Sequence, residues 1–448
     1  MKRNWRMAWW VFGLSLAWCV ALTGGEVWLT PLARAVSGEP FPLWWSWRGE
    51  APSGAGETWR WRVVEAEDVV RPELSEEWRP LEGCGGDDVT LSLAVAEGQP
   101  TGRLTVAVER RGAEATVSEL GRLSLEVVSG ASLDARTRCR LRREQAVMRG
   151  LRWLQTRQRE DGRWGESREV VFVMGGVEER SSDHYNEAAT TAFALWAFGS
   201  HGFGLSGGRE HPFSATVSRG LDYLLGLGLE VAVDSVSPDD WEQPDGQMGW
   251  WLDDPSLFPA LYPDGSGSDL NANGRLLVLG GRSNVENYVH PICLSALVAA
   301  GYPERVCRLP SGRTVTLREA VEDARDFTVW QLDKGNAWYQ GWGYCFVRHV
   351  SGFDLSIGGW NFLGLEAARA WGMTLDRTLC RELMGYLSDS YDCSNDFFLY
   401  EKYYAGATTV SLNASGLLGM SLLQDAWPDS GFRLKGFQDA SATTHPES

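Results

Sequence analysis

The stretch Arg149-Gly-Leu-Arg-Trp-Leu-Gln-Thr-Arg-Gln-Arg-Glu-Asp-Gly-Arg-Trp-Gly165 governs the expected fold. Val147, Leu151 and Leu154 recur at helical spacing, and Asp161-Gly162 supplies a stop. The segment therefore reads as an amphipathic helix followed by an Asp-Gly-x-Trp-Gly turn. One helix cannot bury its own apolar stripe, so the unit calls for echoes of itself downstream.

Degenerate echoes are present. Arg219-Gly-Leu-Asp-Tyr-Leu-Leu225 repeats the start of the unit, and residues 319–331 form another amphipathic segment ending in Gln331. Gln340-Gly-Trp-Gly-Tyr344 closes that turn, and Arg381-Glu-Leu-Met-Gly-Tyr-Leu387 opens a fourth unit. Each is followed by a more uniformly apolar segment: 188–198, 292–300, 357–371 and 405–423. A helix apolar on most sides sits between neighbours, whereas an amphipathic one faces water. The alternation predicts a mainly α fold: an α/α toroid of four or more outer–inner helix pairs over residues 141–427, closed or partly open.

Before it the period changes to two. Residues 58–64, 89–95, 103–108 and 122–128 read as strands, so 57–130 is expected to be a small β module. Residues 36–56, rich in Pro, Gly, Ser and Trp, read as a linker, and 428–448 as a flexible tail. Arg136, Arg138, Arg140, Arg142 and Arg143 form a basic run, either a solvated helix start or hinge or a contact for an anionic surface. The long irregular insertion 235–284 is where a lid is expected.

Composition narrows the function classes. The 448 residues carry a formal net charge of −17, which argues against a nucleic-acid partner. The 23 tryptophans suggest aromatic packing or an aromatic-lined cavity. Lys2, Arg3 and Arg6 precede an uncharged run over 7–25, and Ala33-Arg34-Ala35 offers a small-x-small cleavage site. Residues 1–35 thus read as a signal peptide or, since the run nearly spans a bilayer, a retained membrane anchor. Either way the chain is expected to be extracytoplasmic, periplasmic or secreted, with membrane contact through its N-terminal segment. Without a Cys-x-x-Cys there is no zinc ribbon, and Cys293 and Cys307 are either a local disulfide or buried thiols.

The repeat unit around Arg149–Gly165, Gln340-Gly-Trp-Gly-Tyr344, and the phrases Ala192-Phe-Ala-Leu-Trp-Ala-Phe198, Asn287-Tyr-Val-His-Pro-Ile292 and Asp354-Leu-Ser-Ile-Gly-Gly-Trp-Asn361 resemble the terpenoid cyclase and protein prenyltransferase superfamily. The likeness is to exported bacterial proteins with squalene-cyclase-type (prenyltransferase and squalene oxidase) repeats, over about residues 141–427. It implies a structural role for Gln158 and Trp164, which would staple an outer helix to the next inner one.

The chemistry implied by that resemblance does not carry over. The cyclase acid is the middle Asp of Asp-x-Asp-Asp, and the nearest strings, at Asp239-Asp240 and Asp253-Asp254, lack the first Asp. The magnesium-binding Asp-Asp-x-x-Asp is missing, since Leu257 follows Asp253-Asp254 at the last position. No cysteine has an Asp two residues before it, so the prenyltransferase zinc site is missing as well. No cofactor is implied.

Other constellations admit two readings each. His290 and Asp354, at the starts of inner helices with Asp183, His184 and Tyr185, form an acid–base cluster or serve as caps and packing. Asp269-Leu-Asn271-Ala-Asn273-Gly274 is the first half of a calcium loop, with Gly280 where a bidentate Glu is needed, or an Asx-rich turn. Trp342, Trp360 and Trp371 line a pocket or build the core. Asp389 and Asp392 are the pair a carbohydrate enzyme would use.

The expectation is an exported squalene-cyclase-like toroid without the recognised acid, a binding or scaffold protein with an apolar cavity for a lipid, isoprenoid or glycan. The alternative is a terpenoid cyclase or prenyltransferase-type enzyme with a non-standard acid, drawn from Asp239, Asp240, Asp253, Asp254, His290 and Asp354.

Overall fold

A computed structural model describes residues 27–47, 57–80, 89–165, 169–182, 184–232, 269–280, 286–332, 342, 354–400 and 409–428, apart from 33, 73, 75, 76, 98, 113, 175, 176, 208 and 209. Among the described residues eight helices stand beside a five-stranded sheet and seven two-stranded ones. The chain forms two compact units: residues 1–157 with 201–203 and 209–216, and the remainder. A mainly α toroid is therefore not the fold of this chain.

The first unit is built on a five-stranded sheet in the order Arg34–Val36, Val117–Val128, Thr101–Arg111, Thr58–Glu67, Arg79–Pro80. All neighbours are antiparallel except Arg34–Val36, which runs parallel to Val117–Val128. Thr58–Glu67 alternates as a half-buried strand must: Trp59, Trp61 and Val63 enter the core while Arg60 and Arg62 turn outward. Both arginines bind Glu109 on the neighbouring strand, at 2.9 and 2.6 Å. Burial works against the Glu109 charge, but the two guanidinium groups outweigh it and hold the carboxyl below its usual range.

The expected leader end and linker are corrected here. Val27–Leu29 pairs with Trp45–Trp47, and Pro40–Leu43 pairs with Val89–Ser92. Val27, Phe41, Leu43, Trp44 and Trp45 are fully buried. A tryptophan- and proline-rich composition looks like exposed linker only until the rings find a core. Cleavage after Ala35 would cut the strand Arg34–Val36.

Helix α1 (Ala135–Arg157) also belongs to this unit. Leu141, Met148 and Leu151 are buried, and the helix packs on Arg34–Val36 and Pro40–Leu43. The Arg152 guanidinium lies 4.9 Å from the Trp44 ring centre. The helix taken as the first outer member of a toroid is thus covered by strands.

The second unit contains α2 (His184–Ser200), most of α3 (Ser214–Gly226), α4 (Glu286–Ala300), α5 (Leu317–Trp330), α6 (Leu355–Ala370), α7 (Arg377–Asp389) and α8 (Val410–Ala426). Apolar α2 packs on α4, α4 on α6 and α6 on α8, while amphipathic α5 covers α4 and α6, and α7 covers α8. Among the described residues no comparable packing joins α8 back to α2. Close approach rests on glycine: a Cβ on Gly199 would collide with the Ala299 carbonyl, and one on Gly359 with Ser415.

Turns are fixed by polar side chains. Trp164 N–H donates to Thr191 Oγ1 on α2 at 2.9 Å, and the Gln158 amide spans Gly162 O and Arg219. Of the two readings for Cys293 and Cys307 the buried thiols hold: both are free and buried. α5 starts with a capping box in which Thr316 and Glu319 exchange hydrogen bonds.

Candidate binding face

His290 sits in α4 with no exposed surface. Its Nδ1 accepts the Leu279 N–H at 3.0 Å, which places the ring proton on Nε2, 3.0 Å from Ala324 O and 3.1 Å from Thr328 Oγ1 on α5. Burial draws its pKa down to about 4, only partly opposed by the Ala324 carbonyl. The imidazole is a neutral clamp between a strand and two helices, with both nitrogens engaged.

Asp354 caps α6. One carboxylate oxygen accepts Ser356 N–H at 2.7 Å, and its backbone carbonyl accepts the Tyr386 hydroxyl at 3.2 Å. The other oxygen is buried without a hydrogen-bond partner. No hydrogen bond or ion pair joins Asp354 to His290. Of the two readings for these residues, His290 and Asp354 take the capping and packing one. Asp239, Asp240, Asp253, Asp254 and Asp183 lie outside the described residues, as do the side chains of His184 and Tyr185.

The calcium-like loop is an Asx-rich turn. Asp269 accepts the N–H groups of Asn273 and Gly274, Asn271 Oδ1 accepts Asn273 N–H, and Asn273 Oδ1 accepts Arg275 N–H. The amides of Asn271 and Asn273 both donate to Asp323, at 3.0 and 2.7 Å. Among the described residues no group of three or more His, Cys, Asp or Glu is arranged to hold a metal. Nearby Asp326 is buried and bonded to Arg325 at 2.7 Å, yet its pKa rises to about 7 because burial outweighs that guanidinium. Asp392 accepts Ser394 N–H and the Asn395 amide, each at 2.8 Å, and so caps a turn.

A surface of another kind crosses the row of apolar helices. Phe193 on α2 meets Trp360 on α6 edge to face, ring centres 5.8 Å apart, and stacks on Trp196 at 6.4 Å. Tyr288 on α4 bonds Ser356 on α6 at 2.5 Å. Both contacts turn the less buried stripes of the three helices to one side. The stripes follow helical spacing: Ala189, Phe193 and Trp196; Tyr288, Ile292, Ser295 and Ala299; Ser356, Trp360, Leu363 and Ala367. α4 is the recessed member, with Ile292 and Ser295 buried while Phe193 is 45% exposed. None of these residues carries a formal charge. Such a face can bury an apolar or aromatic surface.

Trp342 takes the core role. It is fully buried, its indole N–H donates to Thr328 O at 3.0 Å, and its ring meets Phe362 and Tyr386. Sequence reasoning missed the buried ion pair of Glu187 with Arg163, two bonds of 3.0 Å, joined by the Tyr223 hydroxyl. A lone Glu187 at the head of an apolar segment was the available signal. No protein-family model matches the chain, and no curated protein matches it.

Proposed function

We propose that this chain is an exported, squalene-cyclase-like binding protein that holds an apolar isoprenoid or lipid chain against the α2–α4–α6 face without transforming it. The observation that carries this reading is the Phe193–Trp360 contact, which turns two aromatic helices toward one uncharged surface with α4 recessed between them. Burying apolar surface stabilises a complex by about 25 cal/mol per Å² before the costs of association. Support also comes from His290 and Asp354, whose bonds hold the framework together. The basic residues Lys2, Arg3 and Arg6 ahead of an uncharged run support export.

The test is organic extraction of the purified full chain followed by mass spectrometry, with squalene and farnesol added as probes. Retention of unchanged lipid that falls on Phe193→Ser and Trp360→Ser supports the reading. Conversion of either probe, or retention indifferent to both substitutions, removes it.

A further inference from the structure

Helix α1 presents an exposed face from which acidic side chains are missing. Cys139, Arg143, Trp153 and Arg157 lie on the side opposite the buried Leu141, Met148 and Leu151, with Arg136 and Arg140 exposed toward its edges. Trp153 is 59% exposed, with the Arg157 guanidinium 5.9 Å from its ring centre. The helix carries eight arginines against one glutamate, Glu144, 3.8 Å from Arg140; Arg152 is buried against Trp44 and Arg142 pairs with Glu39. Yet the chain as a whole bears −17. A merely solvated helix in so acidic a protein has no reason to collect one sign of charge and to leave an indole in water.

We propose that this face of α1 docks on an anionic phospholipid surface. Arginines near such a surface are drawn by its negative potential, and an exposed indole is suited to the headgroup level. The helix lies on the surface and does not cross it: among the described residues no helix is long and apolar enough to span a bilayer. Position agrees with charge. α1 packs on Arg34–Val36 and Pro40–Leu43, a short way along the chain from the uncharged sequence run at 7–25. A duplex nucleic acid would also meet the arginines, but it has no headgroup layer to receive the exposed Trp153 indole.

Cys139 lies within this face and is an exposed free thiol, as is Cys393 in the second unit. The full chain is mixed with phosphatidylcholine vesicles, with or without phosphatidylglycerol, then pulsed with an impermeant maleimide and read peptide by peptide. The expected result is slower labelling of Cys139 only where phosphatidylglycerol is present, with Cys393 unchanged and the protection lost in high salt. Each of Arg136→Glu, Arg140→Glu and Arg143→Glu is expected to weaken the anionic preference by at least roughly five-fold. Should the variants fold poorly, the salt series on the unaltered chain separates the same two outcomes. Equal protection by both vesicle types, or stronger protection by duplex DNA than by anionic vesicles, overturns the proposal.

Discussion

The side-chain amide of Asn361 on α6 donates to the backbone carbonyl of Asn287 on α4, 3.4 Å away. That carbonyl would ordinarily receive the N–H of residue 291, one helical turn on, but residue 291 is proline and has none. The amide also bonds Ile357 O at 3.1 Å, so two acceptors fix its orientation. A side chain from a neighbouring helix therefore supplies the donor that the α4 sequence lacks.

Asn361→Ala should cost about 1–3 kcal/mol, the penalty for leaving a buried acceptor unmet. In a Pro291→Ala background the backbone N–H returns, and the same substitution should cost measurably less. Urea unfolding of the four chains in the cycle reads the coupling; strict additivity would mean that Asn361 acts elsewhere.

His290 and Asp326 pull stability in opposite directions with pH. His290 titrates near 6.5 when unfolded and near 4 when folded, so its contribution is full above pH 6.5 and drains away as pH falls toward 4. Asp326 titrates near 3.8 unfolded and near 7 folded, so its contribution is full below 3.8 and is lost as pH rises toward 7. Across the shared window each slope is about 1.4 kcal/mol per pH unit and the two oppose. Asp326→Asn should therefore rise in stability more steeply with pH than the parent between pH 4 and 6.5. Parallel curves would show that native Asp326 carries no extra proton.

Gly199→Val tests the close approach of α2 and α4. The new side chain meets the Ala299 backbone, which cannot swing aside as a flexible side chain could. Thermal melts should register a loss of about 1–3 kcal/mol, in the range of overpacked cores.

Maturation has a structural constraint. Val27, Phe41 and Trp45 are core residues, so the mature chain should retain residues 27–47. N-terminal sequencing of the protein purified from its own host decides this, and a start at residue 36 would contradict the packing described.

The strands between 58 and 128 and the helices were legible because their apolar periods of two and 3.6 persist whatever covers them, whereas the short strands Pro40–Leu43 and Trp45–Trp47 were not. What covers them was not. The stripe of α1 looks the same whether strands or helices lie on it, and here it meets Arg34–Val36 and Pro40–Leu43. The role of His290 depended on Leu279 and Ala324, backbone groups that no motif in its own segment announces. Phe193 and Trp360 gained meaning only when a contact showed that their exposed sides coincide.

Among the described residues α2 and α8 are the end members of the packed series α2–α4–α6–α8, and α8 leaves Val410 88% and Leu417 53% exposed. A member held by a packed helix on each side opens less readily than one held on a single side. Amide exchange should therefore be faster in α2 and α8 than in α4 and α6, a difference that equivalent members would not show.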